Sequence, residues 1–135
     1  MNIIEKCKEV LMEYKEILFA YVFGSYVQGK IRLDSDIDIA IYLEDEIDLD
    51  RYLAIKMKLT EVCKREVDLV ILNEATPLLK YEIYRNNIPI FSRNRDIETR
   101  YKVKLLFEYN DIKRYLDMAY QKNIERIRKE VNSDG

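Results

Sequence analysis

Apolar residues recur along this chain with two different periods, and the switches between them predict its elements. Ile3, Ile4, Cys7, Val10, Leu11 and Tyr14 share one helical stripe, which predicts an amphipathic helix over 2–15. Ile17–Phe23 is an unbroken apolar run closed by Gly24, the pattern of a buried strand that stops in a turn. Residues 25–29 fit one helical turn, and 31–35 read as a polar loop. Residues 36–43 then alternate: Ile37, Ile39 and Ile41 fall on one face, Asp36, Asp38, Ala40 and Tyr42 on the other.

An acidic connector, 44–48, leads into a second helix with Leu49, Tyr52, Leu53, Ile55, Leu59, Val62 and Cys63 as its stripe. Residues 67–72, Val-Asp-Leu-Val-Ile-Leu, predict another strand. Thr76-Pro77 is an N-cap followed by a first-turn proline, opening a helix over 77–86. Residues 88–91 predict a short edge strand, where Pro89 is tolerated. From Asn94 onward the pattern is helical, with Leu105, Tyr109, Ile112, Leu116 and Ala119 at spacings of four, three, four and three. The expected fold class is α+β, a small mixed sheet flanked by helices with a long C-terminal helix. The expected division is a domain over 1–110 with 111–135 as its helical extension.

Composition narrows the chemistry. The 135 residues suffice for one compact domain, and 48% hydrophobic content allows a sizeable core. With 23 basic and 25 acidic side chains the net charge is −2, which argues against a protein held to nucleic acid by bulk charge. That charge is uneven: 1–92 carry 12 basic and 17 acidic groups (net −5), 93–130 carry 11 and 7 (net +4), and Asp134 completes the total. No apolar run reaches the ~20 residues of a membrane span, and the start lacks a signal-peptide pattern. A cytoplasmic location is expected, and Cys7 and Cys63, both inside apolar stripes, are expected to be buried reduced thiols. The absence of histidine excludes imidazole catalysis and His-based metal sites. Chemistry must therefore rest on carboxylates, hydroxyls, backbone amides or an oxygen-ligated metal.

The stretch from Gly24-Ser25 to Asp36-Ile37-Asp38 meets that requirement. Side chains two apart on a strand share a face, so Asp36 and Asp38 stand together, and adjacent carboxylates repel unless a cation sits between them. Oxygen-only ligands suit Mg²⁺, which keeps waters and takes substrate phosphates as further ligands. Gly24 permits a sharp turn with close backbone approach, and a helical turn beginning at Ser25 offers free N–H groups to phosphate oxygens. Asp68, near the start of its strand, completes a triad if that strand pairs beside 36–43. Two metals ~3.5–4 Å apart then fit an in-line phosphoryl displacement. Asp-x-Asp alone is common and more often an ordinary solvated strand face. The joint pattern, strand, Gly-Ser, ten residues, Asp-x-Asp, then a strand with a third Asp, is specific.

That pattern resembles the signature of the polymerase-β-like nucleotidyltransferase superfamily. The small size, the 67–72 strand and the following Pro77-Leu78-Leu79-Lys80-Tyr81-Glu82-Ile83 resemble its minimal (MNT) branch, and more narrowly the MntA-type antitoxins that work beside HEPN-domain RNase toxins. The resemblance covers about residues 1–110. It implies ATP as substrate, Mg²⁺ (two ions) as cofactor, Gly24 and Ser25 as the triphosphate-contacting pair, and Asp36, Asp38 and Asp68 as metal-binding and catalytic acids. It further implies transfer of AMP to a tyrosine of the toxin, which blocks its RNase activity. Many relatives carry arginine where this chain has Gln28; Lys30 or Arg32 is the nearest replacement. Two other readings stay open: a nucleotidyltransferase for a small-molecule hydroxyl, and a binding module that covers its toxin with a vestigial nucleotide site. The C-terminal helix either packs on its own domain, pairs with another copy, or docks the toxin.

Overall fold

The computed structural model describes residues 1–29 and 36–133, so the loop expected over 31–35, Lys30 and Arg32 lie outside the described residues. Helix α1 (Ile3–Met12) starts at Asn2, whose Oδ1 accepts the Glu5 N–H at 2.8 Å. It is shorter than its apolar stripe, because the chain turns at Glu13 and Tyr14 is buried from the turn. Strand β1 (Ile17–Phe23) follows, then a 3-10 turn (Gly24–Tyr26) and strand β2 (Ile37–Leu43). Helix α2 (Leu49–Cys63) is capped by Asp48, and strand β3 (Val67–Ile71) is followed by a second 3-10 turn (Leu72–Glu74). Helix α3 (Pro77–Arg85) has Thr76 as its cap, accepting the Leu79 N–H at 3.2 Å. Strand β4 (Asn87–Ser92) and helix α4 (Arg95–Ser133) complete the chain.

The sheet order is β3-β2-β1-β4; β1 is antiparallel to β2 and β4, and β2 and β3 are parallel, joined through α2. β1 is buried on both faces, which is why its sequence is apolar throughout. One face carries Ile37, Ile39, Ile41, Val67 and Leu69 against α1 and α2. The other carries Phe19, Tyr21 and Ala40 against Leu72, Ile83 and Ile97 of the turn, α3 and α4. β4 is an edge strand, as its proline predicts. The Arg93 guanidinium closes the corner beside it, donating to the carbonyls of Ile17 (2.8 Å) and Met12 (2.6 Å).

Several expectations need correction. Leu49 (68% exposed) and Leu53 (43%) belong to the α2 stripe by spacing but stand off the core, while Tyr52 between them packs against it. Leu72 is buried from the turn rather than from β3. Helix α4 runs unbroken to Ser133, as the pattern from Asn94 onward predicts, and among the side chains that join it to the body are Ile97, Glu98, Tyr101, Leu105, Glu108 and Tyr109. No helix among the described residues is long and apolar enough to cross a membrane.

Candidate active site

The candidate site forms where β1 ends and β2 and β3 begin, on the sheet face opposite α1 and α2. β2 alternates so that burying Ile37 and Ile39 turns Asp38 outward to the other face. The parallel ladder sets Asp38 directly beside Asp68, and the antiparallel ladder sets it beside Phe23. An Ile37 N–H bond to the Glu66 carbonyl (2.9 Å) fixes the starts of β2 and β3 relative to each other. The pairing that brings the third acid to Asp38 is therefore present.

Gly24 follows β1 with φ +75°, in the left-handed region that glycine occupies without strain. A Cβ on this residue would lie 2.1 Å from Asp38 Oδ2 and 3.1 Å from its Cγ. The backbone at Gly24 is thus the wall against which the Asp38 carboxylate rests, and only glycine fits there. The Gly24 carbonyl accepts the Val27 N–H (3.1 Å) and the Gln28 N–H (3.3 Å), and this closes the turn. The expected helical turn over 25–29 is thus a tighter one over Gly24–Tyr26, which leaves the first N–H groups of the turn, Ser25 among them, without intrahelical partners. Tyr26 and Val27 pack on the core and anchor the loop. Gln28 is exposed.

Burial first, then the charge of Asp68, a hydrogen bond shared with it, and the charge of Asp36 hold the Asp38 carboxyl above its ordinary range. Asp36 lies one residue before β2, outside the ladder and exposed, so it contributes charge at a distance. Among the described residues no three acidic or thiol side chains close around a point that would hold a metal ion; Asp38 and Asp68 are the two that meet. Two carboxylates with no soft ligand nearby, one of them destabilised as an anion, fit a hard divalent cation that takes its remaining ligands from phosphate and water.

The family model described as polymerase beta, nucleotidyltransferase matches residues 5–96. The chain is 32% identical over 92 residues to a protein described as protein adenylyltransferase MntA from Shewanella oneidensis, covering 68% of this chain. The aligned stretch spans 66% of that relative, just under two thirds of its length. Among solved structures, a toxin–antitoxin with AMP-PNP superposes with a TM-score of 0.72 at 28% identity, covering 81% of this chain and 88% of that one. A toxin–antitoxin MntA–HpeT mutant superposes with a TM-score of 0.73 at 26% identity, covering 83% and 90%.

Proposed function

Because the chain belongs to the polymerase beta nucleotidyltransferase family, we propose that it is an antitoxin adenylyltransferase, transferring AMP from ATP to a tyrosine hydroxyl of a cognate HEPN-domain RNase toxin. The observation that carries this reading is the Asp38–Asp68 pair held beside Gly24, joined to the likeness to a protein adenylyltransferase and to toxin–antitoxin structures. In this reading Asp36, Asp38 and Asp68 hold Mg²⁺, two ions, which when bound neutralises charge on the phosphates. Ser25 and the N–H groups of the Gly24–Tyr26 turn orient the β- and γ-phosphates. Asp68 stands on the acceptor side and takes or stabilises the phenolic proton. The phenol oxygen then bonds to the α-phosphorus, the α–β bridging bond breaks, and pyrophosphate leaves. Positioning and charge supply most of the rate, since the fold offers no imidazole.

The same reading places the protein in the cytoplasm, where ATP and the toxin are. It treats 1–110 as the nucleotidyltransferase unit and 111–135 as its extension, available for pairing with the toxin or with another copy.

Intact-mass spectrometry of the toxin tests the proposal, after incubation with Mg²⁺-ATP and this chain, with the Asp36→Ala/Asp38→Ala variant in parallel. AMP-sized additions that depend on the two aspartates are expected. A stable complex without any addition would overturn the enzymatic reading in favour of a covering module.

A further inference from the structure

The two thiols of the chain, 56 residues apart, meet on the side of the sheet away from the aspartates, with Sγ–Sγ 3.4 Å. Cys7 lies in the middle of α1 and is fully buried; Cys63 is the last residue of α2 and 5% exposed. A disulfide needs ~2.05 Å, so closure asks for a sulfur movement of about 1.4 Å, within reach of side-chain rotation. Cys63, at the end of α2, is the more exposed of the two sulfurs and the one a small oxidant reaches first. Either sulfur can donate in the contact between them; that contact first, and then the charges of Arg65 and Lys6, pull the Cys63 thiol below its ordinary range against the opposing effect of burial. The hydrogen bond to Cys63, with burial, pushes Cys7 far up and keeps its proton on.

We propose that Cys7 and Cys63 form an oxidative modification site that a hydroperoxide, hydrogen peroxide being the simplest, converts to an intramolecular disulfide. The Cys63 thiolate attacks one peroxide oxygen, the O–O bond breaks, and the departing hydroxide takes a proton to leave as water. Cys63 is then a sulfenic acid. The Cys7 sulfur attacks the Cys63 sulfur, the S–O bond breaks, and a second water leaves with the Cys7 proton. Each sulfur gives up one electron and the two peroxide oxygens accept both. The product ties α1 to α2, the layer on which Ile37, Ile39, Val67 and Leu69 rest, and so braces the strands that carry the aspartates.

The full chain, reduced and then exposed to hydrogen peroxide, provides the test without any measurement of AMP transfer, so its outcome is independent of the enzymatic reading. The expected result is loss of two hydrogen atoms in intact mass and no thiol titratable after denaturation. The Cys7 peptide should be found linked to the Cys63 peptide, with Tm raised on the order of 10 °C. In Cys7→Ser, dimedone should trap a sulfenic acid on Cys63, and in Cys63→Ser, Cys7 should stay unmodified. Two titratable thiols surviving peroxide treatment of the native chain would overturn the proposal, as would cross-links found only between molecules.

Discussion

Alanine at position 24 would put a methyl group where Asp38 Oδ2 stands, 2.1 Å away, on a backbone with φ +75°. Gly24→Ala should therefore lower AMP transfer on the order of 100-fold by displacing the acid, while circular dichroism shows the fold intact. The left-handed backbone adds a stability cost of about 1–2 kcal/mol, readable in chemical denaturation. Asp38 makes a second prediction, with a definite sign. Its folded pKa lies above the ordinary 3.8, raised by burial and then by Asp68 and Asp36. As pH climbs past the ordinary value the unfolded chain loses this proton first, the folded chain binds more protons, and stability falls until the folded group ionises. Asp38→Asn removes that penalty. Without divalent cations the variant should melt a few degrees above the wild type at pH 7, with no difference near pH 3. Added Mg²⁺ should raise the wild-type Tm and leave the variant unmoved. A variant that melts lower at pH 7 would contradict this account.

Among the elements, what repeats locally was legible in the sequence and what depends on neighbours was not. The continuous apolar run of β1 and the alternation of β2 reproduce the observed bounds to within one residue, because burial on two faces or one leaves a direct imprint. The Gly24-Ser25 and Asp38 parts of the candidate site were legible for the same reason, since their spacing is short-range. The meeting of Asp38 and Asp68 was only conditional: β3 alone does not say which strand lies beside it. The alternation puts Asp36 in the strand, yet it lies just before β2, where its side chain is not held by the ladder. Leu49 and Leu53 show the converse failure, apolar residues at helical spacing with no core opposite them. Arg93, which binds carbonyls of Met12 and Ile17 more than 70 residues away, carries no local signal at all.

For the whole molecule, the division proposed at residue 110 follows the described contacts of α4 with the body. Leu105 is fully buried, Lys80 pairs with Glu108 at 3.2 Å, and the Tyr109 ring stacks on Tyr81 at 3.5 Å between centroids. Further along, Tyr115 (71% exposed) and Val131 (67%) face solvent. Truncation after Asn110 should thus leave Tm within a few degrees of the full chain and leave ATP binding intact, as calorimetry can measure. A collapse of Tm would show that the distal stretch belongs to the fold. The 39 residues of α4 amount to a rod of about 58 Å, against a radius of gyration of about 13 Å for a compact unit of the size of 1–110. Friction in solution follows length more than mass. A single copy tumbles anisotropically and leaves a gel-filtration column early, at the volume of a heavier sphere, so its chains are counted by a measurement that reads mass and not shape, such as light scattering.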